Sequence, residues 1–243
     1  MLAIILFFFI AFIAAAIASI TGFGSATILI PFASLVIDLK QAIVLVAFFH
    51  FFSNVFRLIT LRRSVDKRLV LVYGGPSIVF AVIGAWLFGS ISVEPLATGF
   101  ACFIIIFAAY SLINPTWSLP DRNSILVFGG TLSGLTAGLI GLGGAIRSMF
   151  LISTKIEKEM YIATAAAIAA VVDISRISVY MVNGNLDSEY YWYVIPLIAI
   201  AFIGTRVGTR VMHRLPELVI KRAVLSLLIL VGLKMLLEQI GVL

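Results

Sequence analysis

Cysteine, histidine and charge are all scarce in this sequence. Its 243 residues include one cysteine, Cys102, and two histidines, His50 and His213, and only 12% of the residues are charged. A single cysteine excludes an internal disulfide and a cysteine metal cluster, and two histidines are too few for a histidine-rich metal site. We therefore expect no metal and no other cofactor. The net charge of +6 is modest, and its distribution along the chain argues for orientation in a membrane rather than for nucleic-acid binding.

Hydrophobic residues, by contrast, make up 62% of the chain, and its mean hydropathy is +1.18. A soluble domain usually carries about 25% charged residues, so this chain has too little polar surface to fold in water. In lipid, an open sheet leaves its edge amides and carbonyls unpaired, so apolar runs of this length form helices instead. The composition predicts an all-α, polytopic membrane protein that is embedded in the lipid bilayer.

The first nineteen residues, "MLAIILFFFIAFIAAAIAS", are as apolar as a secretion signal. They lack the basic region that precedes the apolar core of such signals. They also match the segment that opens the second half of the chain. We therefore predict a retained helix over 2–20 rather than a cleaved signal.

Features of the first half recur in the second half at an offset of 119 to 123 positions. The matches keep their order along the chain, and the slow drift of the offset is what small loop insertions produce. The matched pairs are Gly22 with Gly141, Gly24 with Gly143, Asn54 with Asp173, Arg57 with Arg176, Pro76 with Pro196, Gly84 with Gly204, and Glu94 with Glu217. The sequence therefore predicts two transmembrane repeats, residues 1–119 and 120–243.

Each half holds five apolar pieces, and the second piece is short in both halves. These short pieces, 25–37 and 143–153, have 13 and 11 residues, whereas a bilayer core of ~30 Å needs about 20 helical residues. Both directly follow a Gly-x-Gly motif, so we predict that they are half-helices. The other pieces are 2–20, 41–59, 70–91 and 95–114 in the first half, and 124–141, 160–182, 190–211 and 217–239 in the second.

Two topologies fit these lengths. If each short piece continues the piece before it, both halves point the same way; if it doubles back as a hairpin, the second half is inverted. The loop 60–69 is strongly basic, so it is expected to be cytoplasmic. Only the hairpin topology then keeps four other basic positions inside, namely Lys155, Lys158, Arg210 and Arg214. We therefore predict inverted repeats in the cell membrane, each with a hairpin helix pair plus three spanning helices, and both termini outside.

The two glycine motifs lie in "ITGFGSATILIP" (20–31) and "LIGLGGAIRSMF" (139–150). Each half-helix that follows would begin inside the protein, near Ser25 or Gly144. A helix N-terminus presents unpaired amides and a partial positive charge, which favours anions, and glycine lets a ligand approach the backbone closely. The predicted anion-contacting positions here are Gly22, Gly24, Ser25, Gly141, Gly143 and Gly144.

The third apolar piece of each half carries polar residues near the middle of its span. His50, Asn54 and Arg57 share one helix stripe, and Asp173 and Arg176 occupy the matching places in the second half. Charged residues inside a membrane span usually face a cavity or the bundle interior and mark ion pathways, so we predict a substrate site here, with His50 and Asp173 as candidate proton carriers. The alternative is a self-neutralising Asp173–Arg176 pair that holds helices together.

Arg147 lies three residues after Gly144, in the first turn of the second half-helix, and its counterpart in the first half is Ile28. A cation beside a helix N-terminus suits an oxyanion, because charge-assisted hydrogen bonds are strong. The equally simple alternative is that Arg147 extends to the membrane surface.

The stretch "GTLSGLTAG" spaces Gly130, Gly134 and Gly138 four residues apart. Small residues at this spacing typically let two membrane helices pack closely. We predict a packing surface here rather than a binding site.

Four segments of the chain carry a family pattern: "GFGSATILIP" near the N-terminus, "GLGGAI" opening the second half, and the paired "NVFR" and "DISR". Together they resemble the sulfite exporter TauE/SafE family of membrane transporters, over nearly the whole chain. The resemblance implies transport of a small sulfur oxyanion or organosulfonate, often outward, with proton coupling as a further expectation. One departure is that Phe150 stands where symmetry with Pro31 would place a proline.

We therefore expect a secondary transporter, most simply an exporter, of a small sulfur-containing anion. Contact with the anion is expected from Arg176, with Arg57 or Arg147, in a site shaped by Asn54, Asp173 and the glycine backbones. A passive anion channel and a non-transporting membrane assembly subunit are the alternatives, and a homodimer is compatible with the sequence. An enzyme is not expected, because no histidine or cysteine cluster and no sizeable soluble domain is present.

Overall fold

The computed structural model describes residues 2–21, 24–114, 120, 122–152, 154, 156–211 and 217–239. Within these residues the regular structure is entirely helical, which confirms the all-α prediction. Six helical stretches among them are long and apolar enough to cross a membrane, so the chain is a multi-pass membrane protein. Gly22, Lys155 and Arg214, which the sequence analysis singled out, lie outside the described residues.

The helices follow the predicted apolar pieces within a few residues. A 3-10 turn over Arg62–Ser64 follows α3, a π-helical turn over Val70–Gly74 joins α4 to α5, and a 3-10 segment over Ser188–Tyr193 precedes α10. The α-helices are α1 Leu2–Thr21, α2 Ser25–Ala33, α3 Leu39–Leu61, α4 Lys67–Leu69, α5 Gly75–Phe88, α6 Val93–Ile113, α7 Asn123–Ile140, α8 Gly143–Ile152, α9 Lys158–Val182, α10 Val194–Val211 and α11 Glu217–Gln239.

The two short helices confirm that the second apolar pieces do not span a bilayer. Helix α2 has 9 residues and α8 has 10, so at ~1.5 Å per residue each is only ~14–15 Å long. Helix α2 ends at Ala33, four residues before the end of its apolar piece. A turn follows, and α3 then begins where Asp38 accepts hydrogen bonds from the amides of Lys40 and Gln41.

In the first half, α2 doubles back against α1. Helices α1 and α10 run parallel: Gly204 packs on Phe12, and Gly208 packs on Ala16. Helices α3 and α10 are parallel too, because Gln41 binds the amide of Asp187 near their starts, while Ser53 meets Thr205 further along both helices. Since α1 and α3 point the same way, the helix between them runs in the opposite direction. This is the hairpin topology, not the interrupted span.

The second half repeats this arrangement. Helix α7 is parallel to α5, with Gly130 against Tyr73 and Gly138 against Ala81. Helix α5 is parallel to α9, because Gly74, just before α5, lies against Ile168 in the first half of α9, and the Phe88 ring meets that of Tyr180 near the ends of both helices. Helices α7 and α9 therefore point the same way, and α8 doubles back between them.

The matched third helices, α3 and α9, run antiparallel. Ser64, just after α3, donates a 2.6 Å hydrogen bond to Glu159 at the start of α9, while His50 meets Asp173 in their middles. The helix directions in the two halves are thus opposite, as inverted copies would require. The duplication itself and its boundary at 119/120 stay predictions from the sequence.

The glycine stripe of α7 is a packing surface, as predicted. A Cβ atom added at Gly130, Gly134 or Gly138 would lie 2.2–2.3 Å from a carbonyl oxygen of α5 or of the π-helical turn before it, a distance that real Cβ atoms essentially never show. Glycine therefore lets the backbones of α5 and α7 come into direct contact. This close contact fixes α7 and, through the turn after it, the start of α8.

Candidate functional site

The N-termini of the two half-helices meet head to head inside the protein. Gly24 precedes α2 with φ 89°, a conformation that favours glycine. A Cβ atom added at Gly24 would lie 3.5 Å from the Cα of Gly144, in the first turn of α8. We call the space between Gly24 and Gly144 the junction. Two helix N-termini, each with a partial positive charge, therefore converge there.

Polar side chains surround the junction. The position of an added Gly144 Cβ is 3.5 Å from Nη2 of Arg147 and 3.6 Å from Oγ1 of Thr27. The position of an added Gly24 Cβ is 3.7 Å from Nε2 of His50. Among the described residues, the Thr27 hydroxyl, the Ser25 hydroxyl and His50 Nε2 have no hydrogen-bond partner. Buried polar atoms are normally satisfied, so these three atoms are available to bind a ligand.

His50 is held by Asp173 on the opposite helix. The carboxylate oxygen Oδ2 lies 2.7 Å from His50 Nδ1. Because a carboxylate only accepts hydrogen bonds, Nδ1 carries the proton on this side. Nε2 then faces the junction as an acceptor when the ring is neutral, and as a donor when the ring is protonated.

Arg176 is fully occupied by protein groups. Its Nε and Nη2 atoms lie 2.9 Å from Oδ1 of Asp173, and its Nη1 donates to the carbonyl of Ala137 at 2.8 Å. The local Asp173–Arg176 pair that the sequence left as an alternative is therefore formed. Arg176 fixes the carboxylate, and through it the histidine.

Arg57 and Asn54 belong to the same group of buried polar side chains as His50, Asp173 and Arg176. We call this group the cluster. Arg57 donates to Oδ1 of Asn54 at 2.8 Å and to the hydroxyl of Ser19 at 3.2 Å, while its Nε has no partner in the part of the chain that the structure describes. Asn54 in turn donates to the carbonyl of His50 at 2.7 Å. Arg57 thus contacts neutral oxygen atoms, and no carboxylate of the described residues pairs with it.

Arg147 is buried, with 4% of its surface exposed, so it does not extend to the membrane surface. Among the described residues it forms neither a hydrogen bond nor an ion pair, although its guanidinium lies beside Gly144 at the junction. The backbone places it there: Gly141 ends α7 in the left-handed conformation with φ 76°, the chain reverses, and α8 starts two residues later.

Within the described residues, the buried charges of the cluster do not balance. Three arginines, Arg57, Arg147 and Arg176, are at most 4% exposed, and the one buried carboxylate beside them is that of Asp173. Two positive charges are therefore in excess. An uncompensated charge in a low-dielectric interior costs several kcal/mol, and one or two bound negative charges would remove that cost.

The other predicted glycines have structural positions. A Cβ atom at Gly141 would lie 2.3 Å from Cδ1 of Ile30, and one at Gly143 would lie 2.5 Å from the carbonyl oxygen of Ser133. These two residues let the α7–α8 turn pack tightly, and they do not face the junction as Gly24 and Gly144 do.

The sequence analysis missed the hydroxyl groups of the cluster, namely Ser19, Thr27 and Ser53. Ser53 adjoins Asn54 in sequence, and Thr27 lies in the first turn after Gly24. Their positions next to predicted site residues indicate that they belong to the same site. The signal is weak, because a membrane helix commonly satisfies such hydroxyls with its own carbonyls, as Ser19 does with Ala15.

A protein-family model described as "Sulfite exporter TauE/SafE" matches residues 7–235, nearly the whole chain. No curated protein and no solved structure matches it significantly.

Proposed function

The chain belongs to the sulfite exporter TauE/SafE family of membrane transporters, and on this basis we propose that it moves a small sulfur-containing anion, such as sulfite or an organosulfonate. Export is the proposed direction, and the cell membrane is the proposed location. The observation that carries the proposal is the buried excess of positive charge at a junction with orphaned polar atoms. An anion is the ligand that this environment favours.

Arg147 is the proposed principal contact of the anion. Of the three buried guanidinium groups, it is the one without a protein partner among the described residues, and it lies beside Gly144 in the first turn of α8. Amides near Gly24 and Gly144, with the hydroxyls of Ser25 and Thr27, would complete the oxyanion contacts. These donors come from two half-helices, so binding would hold the two halves together.

Arg176 receives a different role from the one that the sequence favoured. All three of its donor nitrogens are engaged by Asp173 and Ala137, so contact with the anion would require breaking a buried ion pair. We assign Arg176 to positioning Asp173. Arg57, whose Nε is unpartnered, stays a candidate for contact, and Asn54 would orient it.

His50 and Asp173 form the proposed proton-carrying pair. His50 Nε2 faces the junction and Nδ1 faces the carboxylate, so a proton gained at Nε2 would give the histidine a positive charge next to the anion. Proton and anion would then stabilise each other in the occluded state.

The opposite helix directions support alternating access as the proposed cycle. Two inverted halves can exchange conformations, so that the same site opens first to one side and then to the other. The proposed orientation keeps both termini outside, because it leaves the loop 60–69 in the cytoplasm. A path contained in one chain needs no second copy, and the homodimer stays a prediction.

The test is accumulation of labelled sulfite in proteoliposomes that contain the purified chain and an imposed pH gradient. A transporter coupled to protons concentrates sulfite beyond the level that the membrane potential alone allows, and the accumulation disappears when a protonophore removes the gradient. Movement only down the electrochemical gradient would indicate the channel. Proteoliposomes no more permeable than empty liposomes would favour the assembly subunit and overturn the proposal.

A further inference from the structure

A cavity lies between α3 and α10, away from the junction. Its volume is about 310 Å³, and its lining includes Phe56, Thr60, Phe202, Arg206, Thr209 and Arg210. Thr60 and Arg210 are each one residue from the end of their helices. Because α3 and α10 are parallel, the cavity opens where both helices end, beside the basic loop 60–69. This is the level of the lipid headgroups for helices that span the bilayer.

Two cations line this cavity without a counter-ion. Arg206 and Arg210 are one helical turn apart and both are exposed, and within the described part of the chain neither forms an ion pair. The guanidinium group of Arg206 lies over the ring of Phe202, whose centroid is 5.9 Å from the guanidinium carbon. Thr60 and Thr209 already donate to carbonyls of their own helices, so the guanidinium groups are the donors available to a ligand.

The surface below the two arginines is apolar and exposed. Phe202 is 45% exposed, Ile203 52% and Val207 39%, and Phe56 forms the other wall of the cavity. A cationic rim above an exposed apolar surface matches an amphiphile with an anionic head and a hydrocarbon tail. The cavity has room for about ten water molecules at ~30 Å³ each, enough for a phosphate and a few carbon atoms.

We propose that this cavity, which we call the groove, binds the headgroup phosphate of an anionic phospholipid between Arg206 and Arg210, with an acyl chain along Phe202 and Phe56. Basic pockets between membrane helices are a known type of site for anionic headgroups. A free anion would use the same two arginines but would gain nothing from the exposed phenyl rings, and this difference favours the lipid.

The floor of the groove connects to the buried cluster. Thr205 lines the cavity, is 2% exposed, and shares a 2.9 Å hydrogen bond with Ser53. The hydroxyl of Ser53 also lies 3.5 Å from Nη2 of Arg57. A lipid in the groove would therefore rest on the same α3–α10 contact that supports Arg57.

The test is lipid binding to the purified full chain in a neutral detergent, without any transport assay. We expect phosphatidylglycerol to raise the melting temperature in a saturable way, and phosphatidylcholine with the same acyl chains to leave it unchanged. The double variant Arg206→Gln/Arg210→Gln should bind phosphatidylglycerol at least tenfold more weakly. The matched control is Arg62→Gln/Arg63→Gln, which removes the same charge from exposed positions at the same end of α3 and should bind normally.

Three results would overturn the proposal. Equal weakening in the control variant would mean a diffuse effect of surface charge. Equal affinity for soluble glycerol phosphate would mean that the groove takes a free anion and that the acyl chain contributes nothing. Unchanged binding in the double variant, or in Arg210→Gln alone if the double variant unfolds, would remove the arginines from the site.

Discussion

Glycine has opposite roles at the α5–α7 interface and at the junction of α2 with α8. A Cβ atom at Gly134 of α7 would lie 2.2 Å from the carbonyl oxygen of Ser77, whereas one at Gly144 of α8 would meet its neighbours at 3.5–3.6 Å. The first glycine brings two backbones into contact. The second leaves space among polar groups. Glycine in a membrane helix therefore indicates a close approach, and the surrounding atoms decide whether a helix or a ligand approaches.

Arg176 and Arg147 differ in a similar way, since protein groups bind the first and the second lies where a ligand could bind. Arg176 spans from Asp173 to the last turns of α7, and all its donor nitrogens are bonded. Arg147 is almost as buried but lies at the junction without a recorded bond among the described residues. Arg176 thus stabilises the packing of α7 and α9, whereas Arg147 is available to a ligand at the junction. Three substitutions, in decreasing order of their effect on stability, test this contrast.

The largest loss of stability is expected from Arg176→Ala. Removal of one partner from a buried ion pair usually costs about 3–5 kcal/mol, and here Asp173 and the carbonyl of Ala137 would both lose a donor. Thermal unfolding in detergent measures the loss, and Arg62→Ala, at an exposed position, is the control. A stable Arg176→Ala protein that has lost only sulfite binding would return Arg176 to the anion site.

Gly134→Ala should cause a smaller but clear loss. The added methyl would have to push α5 away from α7, and overpacking of this kind typically costs about 1–3 kcal/mol. Chemical unfolding of the reconstituted protein measures it. Gly99→Ala on α6 is the matched control, because a Cβ atom there meets nothing within 4 Å. If both variants unfolded alike, the close contact of α5 with α7 would not matter for stability.

Gly144→Ala should barely change stability and should weaken anion binding. Its Cβ would make ordinary contacts, and alanine suits a helix better than glycine by about 1 kcal/mol. The methyl group would occupy the space beside Arg147 and Thr27, so we expect the affinity for sulfite to fall at least tenfold in a thermal-shift titration. An affinity equal to that of Gly99→Ala would place the anion elsewhere.

Much of the architecture is predictable from the sequence, because it depends on local patterns. Helix lengths follow apolar runs, the loop 60–69 favours the hairpin topology, and the spacing of Gly130, Gly134 and Gly138 indicates a packed face. The π-helical turn at Val70–Gly74 has no comparable pattern. The end of α2 at Ala33, inside its apolar run, has no such pattern either.

The candidate site is only partly predictable, since its chemistry depends on which helices face one another. The Asp173–Arg176 pair is local and can be read from its i,i+3 spacing. The bond between His50 and Asp173 joins residues 123 positions apart, and whether Arg147 has a partner depends on how every neighbouring helix packs. Sequence spacing identified the buried polar residues, but only the packing distinguishes Arg176, which is bonded, from Arg147, which has no bonded partner among the described residues.

The dissociation constant of Arg147→Gln for sulfite, measured by calorimetry on the purified protein, tests the central claim most directly. A hydrogen bond to a charged group contributes about 1.5–3 kcal/mol, and about 1.4 kcal/mol corresponds to a tenfold change in affinity. We predict at least tenfold weaker binding, with a melting temperature equal to or above that of the wild type because a buried unpaired charge is gone. Arg206→Gln should bind sulfite normally. A dissociation constant unchanged by Arg147→Gln would contradict an anion site at the junction.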